Sequence, residues 1–127
     1  MTPEETGKLL ARAALIDNRK VDTPTVIAWH QIVGDLRYAD CEQAVIGHYA
    51  ETREWIMPAD IRIRVKEARH QRIKDAGGVP APPPELLDDP AAYSAALQAA
   101  ATALADGRDP QAAMAAITRQ RVRELEA

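Results

Sequence analysis

The sequence predicts an all-α protein with a four-helix N-terminal bundle, a Pro-rich linker and a C-terminal helical hairpin. The first observation behind this prediction is that a helix-capping residue type precedes proline at Thr2-Pro3, Thr23-Pro24, Asp89-Pro90 and Asp109-Pro110. A capping side chain accepts a hydrogen bond from a free N–H of the first turn, and proline at the first helical position loses no hydrogen bond. The second observation is that apolar residues recur at helical spacing, whereas no segment alternates for long enough to predict a sheet.

The first four predicted helices cover residues 3–16, residues 24–33, a segment that begins after Asp40, and residues 58–75. Short connections between them are typical of a compact bundle. Thr2 and Glu5 also have capping-box spacing, and Gly34 is predicted to end the second helix. The residues expected to face the core are Leu9, Leu10, Ala13, Ile16, Val26, Trp29, Ile32, Val33, Cys41, Ala44, Val45, His48, Tyr49, Thr52, Ile61, Val65 and Ala68.

A segment rich in glycine and proline, from Gly77 to Pro84, interrupts the helical pattern. Two consecutive glycines do not sustain a helix, and the prolines that follow favour an extended, semi-rigid spacer. The sequence therefore predicts a helical domain over residues 1–75, a Gly/Pro-rich linker over residues 76–88, and a helical hairpin or partner-binding tail over residues 89–127.

The predicted hairpin consists of two helices, residues 90–105 and 110–125, that are poor in large apolar side chains. Such a pair buries too little surface to offset the entropy of ordering it. We therefore expect it to dock on the first domain, on a second copy of the chain, or on a partner. The residues expected to anchor a partner are Tyr93, Leu97, Leu104, Met114, Ile117 and Leu125.

Composition and charge narrow the classes of partner and compartment. The net charge of −3, all of it carried by residues 76–127, argues against bulk attraction to nucleic acid or anionic lipid. Cys41 is the single cysteine, so no intrachain disulfide can form, which fits a reducing compartment. The first residues lack the basic and apolar regions of a signal peptide, and no apolar run approaches the roughly 20 residues of a membrane span. We expect a cytoplasmic protein that does not contact membranes.

Basic residues cluster in the fourth predicted helix. Arg62, Lys66 and Arg69 lie along one flank of its apolar stripe, and Arg72 continues the stripe itself. Side chains of this length could contact phosphates or an acidic groove on a second partner protein. The alternative is a solvated helix face whose cations complement the helix dipole near its C-terminus.

No pattern in the sequence predicts a catalytic, cofactor or metal site. Cys41 and His48 share a helix face, but they do not form the CxxC or HxxxH pairs that are typical of zinc sites. A Cys–His nucleophile would also need an orienting third group and an oxyanion element, and the sequence identifies neither. The chain lacks the GxxxxGK[ST] and GxGxxG motifs of phosphate-binding loops. We therefore expect a protein that is not an enzyme and needs no cofactor.

The segment Trp55-Ile56-Met57-Pro58 precedes the fourth predicted helix. Its apolar residues could form an exposed docking patch. They could equally form a hydrophobic staple, in which the residue before the helix cap packs on the first turn.

Several short motifs follow one another along the first domain: Thr2-Pro3-Glu4-Glu5-Thr6 with Leu9-Leu10, Val26-Ile27-Ala28-Trp29-His30, Leu36 and Tyr38 before Asp40, Ala44-Val45, His48-Tyr49, and Pro58-Ala59-Asp60-Ile61-Arg62. In this order, over about residues 2–70, the chain resembles the N-terminal domain of the phage replicative-helicase loader and inhibitor family. The resemblance implies a helical N-terminal domain in a phage protein that binds a hexameric DnaB-type helicase and controls its delivery to the origin. In that family the C-terminal part is implicated in the helicase contact.

Three functional hypotheses follow from the sequence. The first is a non-enzymatic adaptor that binds a replicative helicase through its hairpin and modulates DNA replication, with helix 58–75 contacting an origin-binding protein or DNA. The second is a small nucleic-acid-binding regulator that uses the basic residues of segment 60–74. The third is a self-associating structural module, a homo-oligomer in which the hairpin pairs with its copy.

Overall fold

A computed structural model describes residues 1–126 and shows an all-helical chain, which confirms the predicted fold class. No strand occurs in the described part of the chain. A single 3₁₀ turn, Pro84–Leu86, precedes the last two helices. The six α-helices are α1 Pro3–Asp17, α2 Thr23–Val33, α3 Tyr38–Glu51, α4 Pro58–Asp75, α5 Pro90–Ala105 and α6 Pro110–Glu126.

Capping side chains fix where the first two helices begin. Thr2 and Glu5 form the predicted capping box: Glu5 N donates to Thr2 Oγ1 at 3.1 Å, and Thr2 N donates to Glu5 Oε1 at 2.8 Å. The cap of α2 is Asp22, whose Oδ1 accepts from Thr25 N at 3.0 Å, whereas the sequence predicted Thr23. A carboxylate at this position also interacts favourably with the positive end of the helix dipole, which a hydroxyl does not.

The chain forms two compact units, Met1–Ala68 and a second unit that begins at Arg69, so the division falls within α4. The predicted boundary lies later, at the end of this helix. Two side chains from the last part of α4 account for the difference. Arg69 Nη1 lies 2.7 Å from Asp106 Oδ1, and Arg72 Nη1 donates to Ala105 O at 2.6 Å. These bonds assign the end of α4 to the second unit.

In the first unit α1 packs against α2 and α3. Three of the predicted core positions are wrong: Ile16 is 55% exposed, Ile32 is 48% exposed, and Ala68 is also exposed. Ile16 and Ala68 lie one turn beyond the last buried residue of their helices, and Ile32 lies about 100° around α2 from buried Val33. The core consists of Leu9, Leu10, Ala13, Trp29, Val33, Cys41, Ala44, Val45, Ile56, Ile61 and Val65.

In the second unit α5 and α6 pack against each other through small side chains. The unit has a core of Leu86, Ala96, Ala100 and Met114, with Ala92, Tyr93 and Ile117 packed partly buried against it. Alanine buries little area, so Leu86 and Met114 provide most of the large apolar volume in this core.

The end of the predicted linker belongs to this second unit. The glycines act as predicted, because Gly77 and Gly78 have φ values of 88° and 96° after the end of α4. Leu86, however, is fully buried, so the segment is not an extended spacer throughout. Arg121 explains the difference: its Nη1 donates to Glu85 O at 2.9 Å, which holds the 3₁₀ turn against α6.

Replacing Leu86 with alanine should destabilise the second unit by about 2–4 kcal/mol, because the cavity left in an alanine-rich core has few large neighbours to fill it. The measurement is urea denaturation followed by circular dichroism. Leu87→Ala is the matched control, since Leu87 is 70% exposed and its truncation should change the free energy of unfolding by less than about 0.5 kcal/mol. Equal losses in the two variants would contradict the assignment of Leu86 to the core.

Candidate partner-binding surfaces

The six residues predicted to anchor a partner do not form one surface. Met114 is 1% exposed and belongs to the core of the second unit, so it is a packing residue and not a partner anchor. Its flexible side chain fills space that the surrounding alanines leave open. Leu125, in contrast, is 73% exposed. The remaining predicted anchors are half-buried: Tyr93, Leu97, Leu104 and Ile117.

One face of α6 carries a groove with a cavity volume of about 600 Å³. Ala115, Thr118 and Val122 recur on this face at helical spacing, and Leu125 continues their stripe. Val122 is 47% exposed, which leaves its side chain accessible to a partner. We name this feature the α6 groove; it is lined by Pro83, Glu85, Ala115, Thr118, Arg119, Val122 and Arg123.

The α6 groove contains two arginines whose charges are not compensated within the unit. Arg119 and Arg123 are exposed, and neither forms an ion pair with any of residues 1–126. Arg121, which lies between them in sequence, behaves differently. Its Nη2 lies 3.1 Å from Asp88 Oδ1, and its Nε lies 3.2 Å from Asp89 Oδ2. Arg121 therefore holds the preceding turn, whereas its two neighbours face solvent at the groove.

Sequence reasoning did not select Val122, Arg119 and Arg123, which line the groove, as candidate binding residues. The sequence did contain a signal, since Ala115, Thr118, Val122 and Leu125 have the alternating three- and four-residue spacing of a helix-packing seam. About three turns of such spacing are too short to stand out among the many alanines of this region.

The predicted basic surface on α4 is mostly engaged within the chain. In the first unit Arg62 Nη1 lies 2.6 Å from Asp35 Oδ1 and donates to Ile32 O at 2.8 Å. The hydrogen bond from Arg62 lowers the pKa of Asp35 below its ordinary value. Lys66 is exposed and has no ion-pair partner in the described part of the chain. In the second unit Arg69 and Arg72 make the bonds to the turn after α5 that are given above.

The segment Trp55-Ile56-Met57-Pro58 has one buried residue between two exposed ones. Trp55 is 56% exposed and Met57 is 53% exposed, whereas Ile56 is fully buried. Ile56 lies in the same buried cluster as Ile61 of the first turn of α4. This is the arrangement of a hydrophobic staple, the second of the two interpretations that the sequence left open.

A network of four residues holds Ile56 in place, and we name it the Arg19 cluster: Asp17, Arg19, Tyr49 and Ile56. The side chains of Asp17 and Arg19 are 3% and 6% exposed and pair at 2.6 Å. The hydroxyl of Tyr49 donates to Asp17 Oδ2 at 2.5 Å and accepts from Ile56 N at 3.0 Å. Arg19 Nη2 donates to Ile56 O at 2.9 Å, so both backbone polar groups of Ile56 are bonded.

The Arg19 cluster is maintained by charge and by two aromatic rings. Burial alone would raise the pKa of Asp17, but the hydrogen bonds from Arg19 and Tyr49 outweigh burial and hold this pKa below its ordinary value. The guanidinium of Arg19 lies 5.2 Å from the ring centroid of Trp29 and 4.9 Å from that of Trp55. The cluster therefore joins the end of α1 to the segment before α4, and Trp55 takes part in it.

Cys41 and His48 are placed as packing residues. Cys41 is fully buried, and burial, assisted by the charge of Asp40, raises the pKa of its thiol to about 11. Because the thiolate is the reactive form, a thiol with this pKa is a poor nucleophile at neutral pH. His48 Nε2 lies 2.6 Å from Glu54 O. Among residues 1–126 no three histidine, cysteine, aspartate or glutamate side chains converge as metal ligands would.

No helix in the described part of the chain combines the length and apolar character needed to cross a bilayer. Comparison of the chain with models of protein families, with curated proteins and with solved structures returns no match.

Arg19→Ala should lower the free energy of unfolding by about 3 kcal/mol at pH 7, because it leaves the carboxylate of Asp17 buried without its cation. Urea denaturation measures this loss. The matched control is Arg12→Ala, which removes an ion pair at 3.4 Å from Glu42 whose arginine side chain is 46% exposed; this change should cost less than about 1 kcal/mol.

The cost of Arg19→Ala should also depend on pH. The pKa of Asp17 is lowered in the folded protein, so the stability that the pair contributes is present above the ordinary value of 3.8 and is lost as pH falls through the folded pKa. The difference between wild type and Arg19→Ala should therefore shrink in acid. A difference that is unchanged between pH 7 and pH 2.5 would contradict the role assigned to the Asp17 carboxylate.

Cys41 should react slowly with the aromatic disulfide reagent DTNB at pH 7.5, at a rate set by unfolding, since its thiol is buried and protonated in the folded protein. The measurement is the release of the chromophore in buffer and in 6 M guanidinium chloride, where the denatured chain should react at the rate of a free thiol. Ala50→Cys, at an exposed position of α3, is the control that should react rapidly while folded. Fast labelling of native wild type would refute the structural role of Cys41.

Proposed function

We propose that this chain is a non-enzymatic adaptor that binds a partner protein through its second unit, and that the partner is a DnaB-type replicative helicase. The observation that carries the proposal is the α6 groove, with Val122 and Leu125 exposed along its stripe. Both residues lie outside the core formed around Leu86 and Met114. An apolar surface that lines a groove and that the core does not use is typical of protein-binding sites.

The resemblance of residues 2–70 supports the choice of helicase. In the helicase loader family, the helical N-terminal domain is followed by a C-terminal part that contacts the helicase. In our proposal α1 to α4 act as the N-terminal bundle, and α5 and α6 act as the hairpin that carries the groove. The position of the groove in the C-terminal part of the chain fits this division of roles.

The contacts of α4 favour a protein adaptor over a nucleic-acid-binding regulator. Arg62 and Arg69 each pair with a carboxylate of their own unit, at 2.6 Å and 2.7 Å. A phosphate would have to displace Asp35 or Asp106 to use these cations, and the broken ion pair would reduce the gain from the phosphate contact. Of the four candidate cations on this helix, Lys66 is the one with neither a hydrogen bond nor an ion pair in the described part of the chain.

Val122→Glu and Leu125→Glu should each weaken binding to a purified DnaB-type hexamer by at least about tenfold, because each places a carboxylate on an apolar contact surface. Isothermal titration calorimetry with the full chain measures the dissociation constants. Leu15→Glu is the matched control, since Leu15 is 88% exposed and lies in the first unit. This variant should bind as wild type does.

Two results would end the proposal. The first is that the wild-type chain forms no complex with the helicase at micromolar concentrations. The second is that Val122→Glu and Leu125→Glu bind as tightly as Leu15→Glu, since the groove would then contribute nothing to the contact.

A further inference from the structure

The α6 groove combines an apolar stripe with an arginine pair. Ala115, Thr118 and Val122 give a narrow seam with little side-chain bulk, and Arg119 and Arg123 line the same groove. Residues four apart lie on one face of a helix, so the two guanidinium groups project from successive turns in the same direction. The surface is therefore apolar along one line and cationic along a parallel line.

We propose that the α6 groove binds an acidic amphipathic helix of the partner, with its apolar face on the stripe and its carboxylates on Arg119 and Arg123. This inference rests on the proposed function, because it specifies the chemistry of the partner segment that the same surface would take.

The shape of the groove favours a helix over an extended peptide. The stripe Ala115, Thr118, Val122 and Leu125 has the spacing by which one helix packs along another. Small residues at its beginning allow a second helix backbone to approach closely, and the larger Val122 and Leu125 provide contact area further along. Pro83, from the proline-rich segment, lines the groove and gives it a stiff side that lacks a free N–H for pairing with a strand.

The charge of the groove selects an acidic occupant. Arg119 and Arg123 form no ion pair with the described residues, whereas Arg121 pairs with Asp88 and Asp89. Glu85 is the one carboxylate that lines the groove, so the lining is net cationic in a part of the chain that is otherwise acidic. A guanidinium can hold a carboxylate through two parallel hydrogen bonds, which makes two of them on adjacent turns a specific site for acidic residues spaced along a helix.

The same charges disfavour a second copy of this chain as the occupant. Two α6 helices paired antiparallel about Thr118 and Val122 would bring Arg119 of one copy close to Arg119 of the other. Like charges held at a contact are destabilising. An acidic helix would instead pair its carboxylates with the arginines that would repel each other between two copies.

The test uses two fluorescein-labelled synthetic peptides of about three heptads, long enough to form helix on a surface. Both carry leucine along one face; one has glutamate at the flanking positions and the other has lysine. Fluorescence anisotropy with the full chain should give at least about tenfold tighter binding of the glutamate peptide at low ionic strength. Raising the salt should reduce this preference, because exposed charges are screened over about 8 Å at physiological ionic strength.

Charge reversal in the protein provides the specific variant. Arg119→Glu with Arg123→Glu should reverse the preference, so that the lysine peptide binds more tightly. Arg53→Glu with Lys8→Glu is the control, since it changes the net charge equally at exposed residues that also lack ion pairs in the described part of the chain, and it should keep the preference for glutamate. If the reversed variant loses helix by circular dichroism, Arg119→Gln with Arg123→Gln should fold and abolish the preference.

The outcomes separate this inference from the proposed function. Equal binding of the two peptides, tighter binding of the lysine peptide, or no binding of either by the wild-type chain would overturn the acidic-helix inference. The adaptor proposal would still hold if Val122→Glu weakened the helicase complex. Sedimentation showing a dimer that Val122→Glu dissociates would identify the occupant as a second copy and would also overturn the inference.

Discussion

A shortage of large apolar side chains constrains both units, and in each unit a segment outside the α-helices contributes a fully buried aliphatic side chain to the core. Ile56 does so before α4, and Leu86 does so in the 3₁₀ turn before α5. An arginine holds each segment: Arg19 donates to Ile56 O at 2.9 Å, and Arg121 donates to Glu85 O at 2.9 Å. A carbonyl outside a helix needs a donor, and guanidinium can serve it while also pairing with a carboxylate.

These two contacts explain why the segments around Ile56 and Leu86, which the sequence predicts as connections between helices, pack as part of the cores. The Arg19 cluster is the more buried of the two, since the side chains of Asp17 and Arg19 are almost inaccessible to water. The cluster stabilises the fold only while all of its contacts are present, because a buried charge is tolerated only while its partner and hydrogen bonds remain. Arg121 is 21% exposed and pairs with Asp88, which is 77% exposed, so solvent screens this contact and the burial of Leu86 provides more of the stability.

Local signals made the helices predictable. Capping residues before proline, as at Thr2-Pro3 and Asp89-Pro90, mark a helix start within a few residues, and the structure has helices there. Burial in the connecting segments could not be predicted, because a single apolar residue such as Leu86 has no neighbours at a regular spacing that would reveal which way it faces. For the same reason the anchor prediction included Met114: composition identified the apolar residues of the two helices but not which of them the alanine-rich core would use. The arginines of α4 looked available because their carboxylate partners, such as Asp35, lie far away in sequence.

Ion pairing inside the second unit also determines which face of α6 is left for a partner. Arg121 lies two positions along the chain from both Arg119 and Arg123, and a step of two positions is about 200° around a helix. Arg121 binds Asp88, Asp89 and the carbonyl of Glu85, so Arg119 and Arg123 project from the opposite side of α6, and Val122 lies about 100° around the helix from Arg121. A change that frees Arg121 would act on the groove indirectly, because Glu85, which lines the groove, would lose its hydrogen bond to α6.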